Sequence, residues 1–241
     1  MLPFSYQSSF EKLSKHQNNP QMLSQLKPLI SALEESRKSI QFHPQKEFTL
    51  SDTLFNKTSS SIKDYLKLAI KLPLYIDLPI GQDGINSFEW TSRTQDSSFK
   101  NKNFFYELSC HYYNLSILNF NYALSMHISD YQQNPKTIAR VFRTSIWASL
   151  RAAEYSQKCS KTGSIPIEIQ LDSLKMIYDM GQVLIHSIFL RELDNSNESK
   201  DSDLYKGTLV KIFRSSSRLM MVKGQSIFSL WMDKSLMGSI I

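Results

Sequence analysis

The sequence predicts a mainly α-helical protein with one small extended region near residues 73–92. Three observations lead there. Seven Gly and eight Pro spread over 241 residues are too few for the frequent turns of a sandwich or barrel. Long blocks carry apolar residues three and four apart, the period of a helix face. Hydrophobic residues make up 41% and charged residues 21% of the chain, the balance of a globular protein with a sizeable core. One folded domain over 1–241 is expected, with N-terminal helices and an extended arm over 1–100 and a solenoid-like helical core over 101–241.

In chain order, PQMLSQLKPLISALEESRKSIQ places Leu23, Leu26, Ile30, Leu33 and Ile40 at roughly helical spacing, with Pro28 a point of kinking. TLFNKTSSSIKDYLKLAIKL resumes the period through Leu54, Ile62, Tyr65, Leu66 and Ile70, and Pro73 closes it. PLYIDLPIGQDGINSFEWTS follows, with Pro and Gly turns between short apolar runs, and reads as a hairpin or wrapped arm. An EF-hand reading of Asp83-Gly84 fails, because it would put Pro79 and Trp90 where oxygen ligands are required.

From Asn103 to Ser129 the chain is helix-like and apolar nearly all round: Leu108, Tyr112, Leu115, Asn119 and Tyr122 share one face, while Phe105, Ile117, Leu118 and Leu124 lie on others. Such a helix belongs inside a bundle. Asn134 and Pro135 open the next one as N-cap and first helical residue, and Ser145, Ala148, Ser149, Ala152 and Ala153 permit close contacts along it. A further helix presents Leu174, Met176, Ile177, Met180, Val183, Leu184 and Ile188 inward. Beyond the polar loop DNSNESKDSD lie the basic amphipathic LYKGTLVKIFRSSSRLMMVK and the last candidate helix, SIFSLWMDKSLMGSII. No repeat of fixed length is present.

The chemistry-bearing residues do not assemble an enzyme. Cys110 and His111 are adjacent on a helix and so point about 100° apart, which rules out a dyad. Cys110 sits among Leu108, Tyr112, Tyr113 and Leu115, the setting of a buried thiol. His16, His43, His127 and His186 lack metal spacing, Cys110 and Cys159 form no CxxC, and neither a phosphate loop nor GxSxG occurs. No catalytic residue, metal site or cofactor is expected. Asn114, Asn119 and Asn121 are expected to fasten helix ends or the arm through hydrogen bonds. A run of about 18 apolar residues is missing and the N-terminus has no signal-peptide pattern, so the expectation is a reducing, cytoplasmic compartment. The N-x-S/T matches at Asn56, Asn114 and Asn197 are then chance.

The net charge of +6, with a pI near 9.1, is concentrated locally. Lys206, Lys211, Arg214, Arg218 and Lys223 fall between Leu204 and Met232 with no acid before Asp233, a stretch suited to an acidic helix or anionic lipid. A solvated basic face is the plainer reading. Nucleic acid is not expected, because the aromatics cluster in the apolar helices and do not interleave with Lys and Arg.

Within the buried helix, FFYELSCHYYNLSILNFNYALS resembles the central motif of the Bro (Bro-one, ALIX-like) domain family of endosomal adaptors: Tyr106, Glu107, Ser109, Cys110 and Asn114 fit its pattern. Phe88-Glu89-Trp90 stands where that family has Phe-x-Trp, IARVFRTSIWASLRAAEY where it has an aromatic-Gln-x-Ala helix, LKMIYDMGQVLIHSIF where it has Leu-Ala-Gln-Ala-Gln-Glu with Gln182 at the second Gln, and YKGTLVKIFRSS where it has Ile-Ala-Lys-Leu-Ala. The resemblance covers about residues 30–235. Met180-Gly181 and Trp147 depart from it, and the family domain is longer. It implies a curved stack of helix hairpins resembling tetratricopeptide repeats, and a non-enzymatic adaptor, peripherally associated with endosomes, that receives the C-terminal amphipathic helix of an ESCRT-III subunit of the Snf-seven or charged multivesicular body class. Carried over position by position, it implies partner contacts at Ile185, Thr208, Lys211 and Ile212. The alternative is a scaffold of the same fold that binds another peptide, or an anionic endosomal membrane, through the basic helix 204–224.

Overall fold

A computed structural model describes residues 19–40, 51–74, 88–92, 95, 97–130, 134–159, 164–196 and 199–221. They form six helices, α1 (Pro20–Lys38), α2 (Asp52–Ala69), α3 (Phe104–Asp130), α4 (Pro135–Cys159), α5 (Leu171–Asn195) and α6 (Asp203–Met221), and two strands, β1 (Phe88–Ser92) and β2 (Ser97–Asn101). Short 3₁₀ turns at Leu72–Leu74 and Ile167–Ile169 complete the described elements. The protein is therefore mainly helical with a small two-stranded sheet. The candidate helix 226–241 and Lys223 lie outside the described residues.

Local chemistry accounts for the helix starts. Asn19 caps α1 by accepting from the backbone N–H of Gln21 at 3.0 Å, Ser51 caps α2 by accepting from that of Leu54 at 3.3 Å, and Pro135 opens α4, a position where its missing N–H removes no helical bond. Helix α1 continues through Pro28. Helix α2 ends before Ile70, whose side chain is exposed and not on the buried face.

Strand β1 carries the expected Phe88-Glu89-Trp90 and pairs antiparallel with β2, Trp90 opposite Phe99. The second strand lies beyond the expected 73–92 region, and residues 75–87 are outside the described set. Its sequence, Ser-Ser-Phe-Lys-Asn, has one apolar residue and is mostly exposed, so hydrophobic alternation could not reveal it.

Consecutive helices pack on one another in chain order: α1 on α2, α2 on α3, α3 on α4, α4 on α5 and α5 on α6. Helix α3 is the buried member, with Tyr106, Leu108, Cys110, Tyr112, Leu115, Leu118, Phe120 and Ala123 all in the core. Small residues let α4 approach it. The Ser109 hydroxyl donates to the Ala152 carbonyl at 2.9 Å and that of Ser116 to the Ser145 carbonyl at 2.9 Å. Asn119 is buried, and its amide donates to the Leu115 carbonyl of its own helix.

Glu107 ties the N-terminal helices to this core. Its Oε1 accepts from Arg37 of α1 at 2.8 Å, from the Tyr65 hydroxyl of α2 at 3.2 Å and from His111 Nε2 one turn further along α3 at 2.9 Å. Burial opposes ionisation of this carboxyl, yet the Arg37 and His111 charges and the hydrogen bonds outweigh it and hold the group below its usual 4.5. Such a carboxylate contributes stability above about pH 4.5 that is lost as pH falls through its lower folded-state value. Glu107→Gln should cost about 3 kcal/mol in denaturant unfolding at neutral pH, because it removes the buried negative charge on which Arg37 and Tyr65 converge, and should flatten the acid limb of the stability curve.

Candidate functional site

The same burial that makes α3 a core helix removes Cys110 from chemistry. Its thiol is buried, and desolvation together with the Glu107 charge pushes its pKa well above the usual thiol value, so no nucleophilic thiolate forms near neutral pH. His111 is engaged with Glu107 and not with the cysteine.

Among the described residues, one exposed surface lies on α5. The β-hairpin and the Ile167–Ile169 turn fix where this helix starts. The Ser92 hydroxyl donates to Glu168 at 2.6 Å, the Gln95 side chain accepts from the Ile167 N–H at 2.8 Å, and the Ser156 hydroxyl of α4 donates to the Ile169 carbonyl at 2.6 Å. Ser173 then bonds back to the Ile167 carbonyl at 2.6 Å. Further along, Gly181 faces α4 so closely that a Cβ there would lie 2.7 Å from Ile146 Cγ1.

With that side against α4, Leu171, Lys175, Tyr178, Gln182, Ile185 and Phe189 recur at alternating steps of four and three and form one stripe, about 27 Å long at the helical rise. Its ends are open, Leu171 at 45% and Phe189 at 41% exposure, and Tyr178, Gln182 and Ile185 between them are half-buried. Ile185, a partner contact implied by the family resemblance, thus sits in the stripe, with its inner side packed on the core. Beside it, burial and the nearby Lys211 of α6 lower the pKa of His186.

A cleft of about 330 Å³ opens at the Leu171 end, between Leu150 and Ala153 of α4 and Leu171, Leu174, Lys175 and Tyr178 of α5, with Arg218 of α6 reaching in. Arg218 is held there by Asp179. Its Nη2 lies 2.6 Å and its Nε 2.8 Å from Oδ1 of that fully buried carboxylate. The Asp179 partnership raises the Arg218 pKa further.

The remaining predicted positions disperse. Thr208 is buried, its hydroxyl donating to the Leu204 carbonyl at 2.8 Å, so it presents no surface to a partner; its neighbours on the buried face of α6 are Tyr205 and Ser215. Ile212 is half-buried and Lys211 exposed. Arg218 is a structural cation as well as a surface one. Lys206 pairs loosely with Asp201 at 3.2 Å, and Arg214 is exposed. The outer face of α6 also shows Leu209, Val210 and, at 73% exposure, Phe213. Among the described residues, no helix is long and apolar enough to cross a membrane and no cluster could hold a metal ion.

Sequence reasoning missed Leu150, Leu171, Lys175 and Asp179. The four–three spacing from Leu171 to Phe189 was available as a signal, but the inward-facing set around Leu174 and Ile177 is the more hydrophobic and masks it. Comparison with protein-family models, with curated proteins and with solved structures finds no match. Substituting Arg218→Ala strands the Asp179 carboxylate and should cost about 2 kcal/mol in thermal or denaturant unfolding; Asp179→Asn/Arg218→Ala together should cost less than Arg218→Ala alone.

Proposed function

We propose that this protein is a non-enzymatic adaptor that docks an acidic amphipathic helix of a partner along α5, of the kind carried at the C-terminus of ESCRT-III subunits of the Snf-seven class, in endosomal sorting or membrane remodelling. The observation that carries the reading is the α5 stripe. Its length matches a helix of about 18 residues, it combines apolar or aromatic side chains with Lys175 and Gln182, and two cations of α6 lie near it, Lys211 beside His186 and Arg218 in the cleft. Helix-in-groove recognition reads apolar anchors at such spacings, and basic borders favour an acidic partner over a basic one. The Bro-like landmarks around Tyr106–Asn114 supply the particular partner class.

A second reading is favoured by the outer face of α6. Phe213, Val210 and Leu209 are exposed beside Lys206 and Arg214, the mixture with which amphipathic helices lie on anionic bilayers. Flotation with vesicles containing phosphatidylserine, compared with neutral vesicles, addresses it: Phe213→Asp should abolish a genuine interfacial contact.

For the favoured reading, the purified chain is titrated with a labelled peptide of the Snf-seven-class C-terminal helix beside a scrambled control. Micromolar binding by the native peptide alone is expected. Phe189→Asp, an exposed change, should weaken it at least tenfold with the circular dichroism unchanged; Ile185→Asp should abolish it. Equal binding of both peptides, or indifference to Phe189→Asp, contradicts docking along α5.

A further inference from the structure

The cleft at the Leu171 end of the stripe differs from the rest of it in being concave and charged at one edge. Leu150 and Leu171, exposed by 52% and 45%, stand on opposite lips, one on α4 and one on α5. Leu174 and Ser149, both buried, lie in its lining, and the Ser149 hydroxyl is already spent on the Ile146 carbonyl at 2.8 Å. An aliphatic group entering here would cover both lips and leave that hydroxyl's hydrogen bond intact. The cleft's 330 Å³ is at the lower end of ligand-pocket sizes, which suits one or two side chains and not a folded segment.

Its charge is equally directional. Asp179 is fully buried and clamps Arg218 through Nε and Nη2, yet the Arg218 side chain remains 43% exposed. Lys175 stands on the same rim. The two cations against one buried carboxylate leave this edge positive, and the clamp fixes where a guanidinium can meet an incoming carboxylate. A second copy of this chain would bring like charge to like charge, and a flat bilayer cannot enter a cleft.

We propose that this cleft is the anchor that sets the register and direction of the docked helix: it takes one Leu- or Met-sized side chain of the partner, while Lys175 and Arg218 take a Glu or Asp one helical turn away. The proposal rests on the adaptor reading and assigns it a sequence rule, an aliphatic residue followed or preceded at three or four positions by an acid. The remainder of the α5 stripe then supplies contact area, and the cleft the hot spot.

The test uses the full chain and the same labelled ESCRT-III helix peptide. Leu150→Asp and Lys175→Glu are changes of exposed side chains, so the fold is retained and circular dichroism verifies it. Each should weaken binding at least tenfold. A set of peptides in which each acid in turn is changed to Lys should contain one that recovers at least fivefold of its binding on Lys175→Glu while binding the native chain poorly; a merely structural role for Lys175 predicts no such charge swap. If both variants bind the native peptide within twofold of the wild type while Phe189→Asp still weakens binding at least tenfold, the cleft is not the anchor and docking along α5 stands. If the wild type binds no peptide, both readings fall together.

Discussion

The two described helices N-terminal to α3 meet it at a buried carboxylate. Glu107 is nearly inaccessible, and a guanidinium, a phenol and an imidazole converge on it from α1, α2 and α3. Desolvating it alone would cost several kcal/mol. The partners offset this, and the two from other helices, Arg37 and Tyr65, dictate how α1 and α2 meet α3, since an apolar contact could slide by a turn where two directed hydrogen bonds cannot. A second tie acts nearby: Phe55 of α2 stacks on Tyr122 of α3 with ring centroids 3.7 Å apart, and the Tyr122 hydroxyl donates to Asp52 at 2.7 Å.

The C-terminal half is assembled by a different physics. Between α3, α4 and α5 the contacts are close because the residues are small, with serine hydroxyls meeting carbonyls and Gly181 against Ile146. Helix α6 is then fastened by the Asp179–Arg218 pair and by the Tyr205 hydroxyl donating to Asp194 at 3.1 Å. Close packing on one side of α5 leaves its Leu171-to-Phe189 side partly exposed, and the same ion pair that fastens α6 brings a cation to the mouth of the α4–α5 cleft. Asp179 thus links the fastening of α6 to the charge at the edge of the cleft.

Much of this was legible before the structure. The all-round hydrophobicity of 103–129 marked α3 as the buried helix, Asn134-Pro135 marked the start of α4, and the adjacency of Cys110 and His111 already excluded a dyad. Strand β2 was not legible because a polar two-stranded ribbon carries almost no periodic signal. Thr208 and Asn119 are both polar groups bonded within their own helix, a local bond that neither spacing nor a carried-over family position reveals. Arg218 was read as a free basic residue because its partner, Asp179, lies 39 positions earlier on a helix otherwise counted for its apolar face.

The central claim is that the open side of α5 is the docking surface, and methyl-selective NMR addresses it without any substitution. On adding the acidic helix peptide to the labelled chain, the methyl resonances of Leu171, Ile185 and Leu150 should shift, while those of Leu26, Leu33 and Ile62, buried among α1 and α2, stay in place. Shifts confined to Leu209 and Val210 on the outer face of α6, with Leu171 and Ile185 unmoved, would contradict the account.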